Sequence, residues 1–202
     1  MPRRGYGIGE DRVIRRQFAL FVTLALALLT VAAARPVAAS QAETEFGFHV
    51  GDSFITKFGL PPADVSQAAN GDTITVFGTG GIDTEDMEVH GQGTFEHRSS
   101  DGTLLASGTW QAKELITFDN FGSQAGLPPD FRGGHAAIRV RVTAHPAVNP
   151  DVTIRFDATL VVDCALGDVP PGVEEGITFD AGFINFNQKV SGFTLFVAET
   201  DD

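Results

Sequence analysis

From residue 72 to the end of the chain, apolar side chains recur at every second position, the spacing that places neighbours on opposite faces of a pleated strand rather than along one helical stripe. Eight segments carry the pattern: 73–77, 87–97, 103–112, 115–118, 136–144, 152–164, 177–184 and 190–198. Turn-forming clusters such as Asn70-Gly71-Asp72, Ser99-Ser100-Asp101-Gly102 and Pro170-Pro171-Gly172 separate them. Alternation also assigns faces. Met87, Val89, Gly91, Gly93, Phe95 and His97 share one side of the second segment, and Glu88, His90, Gln92, Thr94, Glu96 and Arg98 share the other. Leu104, Ala106, Gly108, Trp110 and Ala112 oppose Leu105, Ser107, Thr109, Gln111 and Lys113, and Ile138, Val140 and Val142 oppose Arg139, Arg141 and Thr143. One dry and one wet face per strand predicts an antiparallel, all-β sheet.

Eight strands in so short a chain must hide their edges, which predicts a single barrel of about eight strands, with a sandwich as the second choice. Gly91, Gly93 and Gly108 fall on inward faces, where glycine marks a sharp bend or the close approach of another group, and sharp bends suit a small barrel. No segment after Ser40 has a helical period, and residues 61–68 predict one short turn at most. Residues 40–70, with Phe46, Phe48, Phe54 and Phe58, form an N-terminal arm or a first strand pair, and residues 71–202 form the barrel domain. Residues 121–134 read as a rim or lid.

The N-terminus is organised differently. Arg3, Arg4, Arg12, Arg15 and Arg16 precede an apolar run over 18–34, which gives way to Arg35-Pro36-Val37-Ala38-Ala39-Ser40, the order of a signal peptide over residues 1–39. Cleavage is expected after Ala39, with Ser40 as the alternative site, and the chain is expected to be secreted or periplasmic with no stable membrane span left. Arg15-Arg16-Gln17-Phe18 resembles the twin-arginine export signal, although Ile14 stands where that pattern has Ser or Thr.

Loss of the leader leaves eight basic against 24 acidic residues, a formal net charge of −16. Such a field repels phosphate backbones, so nucleic acid is not an expected partner. The only tyrosine, Tyr6, leaves with the leader, and the remaining aromatic inventory is Trp110 and 15 phenylalanines. Sugar-binding surfaces rely on Trp and Tyr as amphipathic platforms, whereas Phe belongs in dry places. Most of these rings fill a core, and a minority could line an apolar cavity. The single cysteine, Cys164, is in phase with Ile154, Phe156, Ala158, Leu160 and Val162 and reads as a small buried hydrophobe.

Candidate chemistry is sparse. Gly51-Asp52-Ser53-Phe54 resembles the nucleophile block of GDSL hydrolases, which would make Ser53 the nucleophile, but no histidine follows His145 and no β-α alternation supplies the rest. His90 and His97 fall on opposite faces, so the cupin-like metal pattern is missing, and neither a metal nor a cofactor is expected. Asp83-Thr84-Glu85-Asp86 lacks the spacing and glycine of a calcium loop and reads as a hairpin tip.

With the strands placed, the residues over 71–80, then Gly91-Gln92-Gly93-Thr94-Phe95-Glu96-His97-Arg98 and 102–110, resemble uncharacterised secreted bacterial proteins. The Gly-X-Gly-X-Phe strand followed by a hairpin and a glycine-bearing strand is also similar to the allene oxide cyclase and dirigent barrels. That resemblance implies an eight-stranded barrel with an apolar interior and supplies no catalytic residue to carry over. The expected function is non-catalytic binding of a small apolar molecule, lined by Phe95, Trp110, Phe118, Phe156 and Phe179. The alternatives are a cyclase or isomerase that uses the same cavity, with His97 as the first acid or base to test, and a packed acidic interaction domain. The oligomeric state is left open.

Overall fold

The computed structural model describes residues 43–199, so the leader expected over 1–39 lies outside the described residues. All ten strands are paired antiparallel: β1 (Glu45–Val50), β2 (Asp64–Ala68), β3 (Thr73–Asp83), β4 (Glu88–Arg98), β5 (Leu104–Gly122), β6 (Phe131–Pro146), β7 (Ile154–Cys164), β8 (Gly176–Asp180), β9 (Asn185–Ser191) and β10 (Thr194–Ala198). One helical turn, α1 (Ser53–Thr56), follows β1, where Asp52 caps it by accepting from the Phe54 and Ile55 amides. Among the described residues no helix is long and apolar enough to cross a membrane.

The strand order is β1-β10-β6-β5-β4-β3-β2-β9-β8-β7, with β1 also paired to β3 and β6 to β7. Each strand therefore has at least two partners, and none is left as a bare edge along its whole length. The long strands β3 and β6 each change partner partway. β3 pairs with β2 over Thr73–Val76 and with β1 over Gly78–Asp83. β6 pairs with β10 at Phe131 and Arg132 and with β7 from Gly134 to Ala144. The wall opposite β4 and β5 is thus built in two tiers, β1 and β10 at one end and β2, β9, β8 and β7 at the other.

Ten strands, rather than eight, arise for three reasons. Residues 40–70 contribute β1 and β2, both on β3, and the second of these occupies part of the stretch expected to hold only a turn. The segment 177–184 is interrupted by a tight hairpin in which Asp180 faces Asn185, and Gly192, with φ 133°, separates β9 from β10. In the other direction, 103–112 and 115–118 are a single 19-residue strand. Its ladder to β6 slips at three places, between Ala112 and Glu114, Leu115 and Thr117, and Asn120 and Gly122. Each bulge inserts one residue, so the inward positions run Ala112, Leu115, Phe118, Phe121, a spacing of three that strict alternation misses.

Interior packing explains the glycines. Gly78 faces Gly93 and Gly80 faces Gly91 across β3 and β4. A Cβ on Gly93 would run into the Phe77 carbonyl and the Trp110 indole, and one on Gly91 would come within 2.9 Å of Phe48 Cζ. The missing side chains make room for Trp110 and Phe48, both buried, and the indole Nε1 donates to the Phe77 carbonyl at 3.0 Å. Full burial of each such ring contributes about 1.5–3 kcal/mol. Cys164 is buried in the same core, where desolvation and the nearby Glu175 push its thiol pKa upward, so it is not a reactive thiolate.

Candidate functional site

At the end walled by β2, β9, β8 and β7, the inward side chains do not fill the interior. They leave an apolar cavity of about 190 Å³. Its floor and walls are Ile74 of β3, Phe95 of β4, Phe179 of β8 and Phe186 of β9, and the small residues Ala106, Ala144 and Ala181 provide the space. Around the mouth stand Pro146, Ile154, Phe156, Phe183 and Ile184. Phe183, at the tip of the β8–β9 hairpin, is 74% exposed and packs edge-on against Phe156 at 5.3 Å between centroids. A cavity of roughly 150 Å³ lined by aliphatic and aromatic groups stays dry and admits benzene. The space here is therefore large enough for a small ring system.

His97 is the one lining side chain with a polar group. β4 aims it inward in phase with Phe95. Its Nε2 lies 3.1 Å from Asp72 Oδ2, and its ring stands nearly perpendicular to Phe186, 5.2 Å between centroids. Asp72 is delivered by the turn before β3, which the Asn70 side chain closes by accepting from the Asp72 amide. An ionised carboxylate can only accept, so the pairing places a proton on Nε2 and leaves Nδ1 of a neutral ring as an acceptor. Among the described residues, Nδ1 has no protein partner.

Of the residues expected to line a cavity, Phe95, Phe156 and Phe179 meet there together with His97. Trp110 and Phe118 do not. Trp110 lies against the glycine pairs deeper in the interior, and Phe118 packs between Phe46 at 4.8 Å and Phe196 at 5.2 Å at the opposite end. Alternation alone cannot say how far along the axis an inward residue sits, so it cannot separate Phe95 from Trp110. Ala106 shares the face of Trp110 in the alternation of its segment. Phe186 lies between the segments expected at 177–184 and 190–198, so alternation gives it no face.

A second, polar cluster occupies the seam where the tiers meet. Glu175 accepts from the amides of Ala165 and Thr194, each at 2.7 Å, and from the Thr194 hydroxyl at 2.9 Å, tying the end of β7 to the start of β10. Asp163 receives His135 Nδ1 and Lys189 Nζ, both at 2.6 Å. Burial alone would raise the Asp163 pKa, but these two donors outweigh it and hold the carboxyl low, while the bond to Asp163 raises His135. Asp64 is the anomaly. It shares the inward face of β2 with Ser66 and Ala68, is fully buried, and among the described residues neither carboxyl oxygen completes a hydrogen bond. Desolvation and repulsion from Glu175 raise its pKa to about 8, with Lys189 and the nearby Gly51 amide offsetting only part of that. Glu175 is likewise raised, chiefly by burial. No pattern of period two distinguishes these acids from surface ones, apart from the inward phase of Asp64 itself.

The remaining motifs have local roles. Asp52 of the Gly51-Asp52-Ser53-Phe54 block caps α1 and bonds His49 Nδ1 at 2.6 Å, and Ser53 is exposed with no base beside it. Asp83 accepts from the amides of Glu85 and Asp86 and so closes the β3–β4 turn. Among the described residues no three His, Cys, Asp or Glu side chains are grouped to hold a metal ion. Comparison with protein-family models, with curated proteins and with solved structures finds no match for this chain.

Proposed function

We propose that this chain is an exported eight-stranded antiparallel barrel that binds one small apolar molecule in its open end without transforming it. The circuit β3-β4-β5-β6-β7-β8-β9-β2 returns to β3 through antiparallel pairs, which supports closure. A barrel of eight strands is just wide enough to be filled by its own side chains or to hold one small ligand. One observation favours the ligand: the cavity walled by Phe95, Phe179, Phe186 and three alanines, with exposed apolar side chains at its mouth. Export rests on the leader-like residues 1–39. The resemblance to allene oxide cyclase and dirigent barrels accords with the fold and assigns no residue a role.

The direct test is the mass of the protein as isolated, under native and then denaturing conditions, beside an Ala106→Phe variant that fills the cavity. A small-molecule adduct present on the wild-type protein, lost on denaturation and missing from the folded variant is the expected result. Equal adducts on both proteins would place the ligand elsewhere, and a bare wild-type mass would favour a packed acidic interaction domain. The pairing of His97 with Asp72 at the cavity supports a second reading, an isomerase or cyclase with His97 as general base. Conversion of the bound compound by wild type, lost in His97→Ala while binding persists, would establish it.

A further inference from the structure

We infer that the cavity selects an apolar ring compound carrying one hydrogen-bond donor, an N–H or O–H, which it holds through Nδ1 of His97. The inference rests on the binding function proposed above and adds the chemistry of the ligand. The cavity's lining is otherwise hydrocarbon, so a ligand with several polar groups would leave them unpaired at considerable cost. A wholly apolar ligand would instead leave the imidazole Nδ1 desolvated and without a partner. The ring cannot readily turn away from that role, because Asp72 holds Nε2 and the ring packs perpendicular to Phe186. With Nε2 engaged by Asp72, Nδ1 is the ring nitrogen left for a ligand. A site built to receive a donor discriminates against the isostere that lacks it more sharply than a hydrocarbon wall discriminates by shape.

Indole and indene test this as a pair, since they share shape and differ in one N–H. Titration calorimetry on the purified protein is expected to give indole about tenfold tighter binding than indene, the value of one net neutral hydrogen bond. His97→Phe should bind indene at least as well as wild type and lose the preference for indole. Its indene binding also reports that the variant is folded. His97→Gln, which keeps an acceptor, should restore part of the preference. Equal affinities in wild type, or a preference that survives in His97→Phe, would overturn the donor inference while leaving the cavity's binding role standing. Binding of neither compound, or binding undiminished in Ala106→Phe, would overturn both.

Discussion

The carboxyl of Asp64 offers a sharp test of the interior, because its protonation is coupled to folding. In the folded chain it is buried, lacks a hydrogen-bond partner among the described residues and is repelled by Glu175, and its pKa lies at about 8 against 3.8 for the ordinary group. The folded state therefore keeps a proton that the unfolded chain releases. Below pH 3.8 both states hold it and the group costs nothing extra. As pH rises through the window between the two values, stability falls by about 1.4 kcal/mol per unit, and the loss is complete above the folded value. Between pH 5 and 7, both inside the window, the loss is about 3 kcal/mol. Asp64→Asn has nearly the same shape and cannot ionise. Urea denaturation of both proteins at pH 5, 6 and 7, followed by the fluorescence of Trp110, isolates the Asp64 contribution in the difference. Glu175 titrates in both proteins and largely cancels. Relative to the variant, the wild-type protein should lose about 3 kcal/mol of stability between pH 5 and pH 7. A difference that stays constant would mean Asp64 ionises alike in both states. A wild-type protein that gains on the variant as pH rises would mean Asp64 is an anion held by Lys189, and either result refutes the account of the seam.

Two further outcomes follow from the packing. Trp110→Ala should cost about 3–5 kcal/mol of unfolding free energy, measured by chemical denaturation, because the cavity it leaves is walled by fixed backbone. Folded Trp110→Ala protein should still bind a cavity ligand with wild-type affinity, since the indole lies outside that site; a parallel loss of binding would mean the interior is one continuous space. Gly93→Ala should cost about 3 kcal/mol or more, through collision with the Phe77 carbonyl and the indole. Gly102→Ala has open space around it but a φ of 86°, so it should cost only about 1–2 kcal/mol. Comparable midpoints for the two glycine variants would contradict the steric account of the glycine pairs.

The class of the fold was legible because one wet and one dry face leave a period of two in any sequence. The inward phase of Phe95, His97, Trp110, Ile138 and Val140 could be read without coordinates. Three features were not legible, each for a physical reason. A bulge changes the local period from two to three, so Leu115, Phe118 and Phe121 looked like a broken pattern rather than one strand. A two-tier wall depends on which partner a long strand meets at each end, which no local window contains. Buried charge looks like surface charge in a sequence, so Glu175, Asp163 and Lys189 merged with the acidic exterior until their partners were known. For the same reason Asp72 was read as part of a turn and not as the partner of His97.

The two tiers also account for where the cavity lies. Between β3 and β6, the first end is spanned by only β1 and β10, and the other by β2, β9, β8 and β7. In the closed barrel proposed above, width grows with strand number, so the first end is the narrower. There Phe46, Phe48, Phe118 and Phe196 meet within contact distance or bear on glycine backbone. The wider end needs larger side chains to fill it, yet β5, β6 and the β8–β9 turn place Ala106, Ala144 and Ala181 there. Each alanine forgoes the burial of a larger apolar side chain, about 1.5–3 kcal/mol of available stabilisation. Small residues at the wide end and glycines at the narrow one have opposite consequences: the glycines admit the chain's own rings, and the alanines leave room that no side chain of the chain takes up.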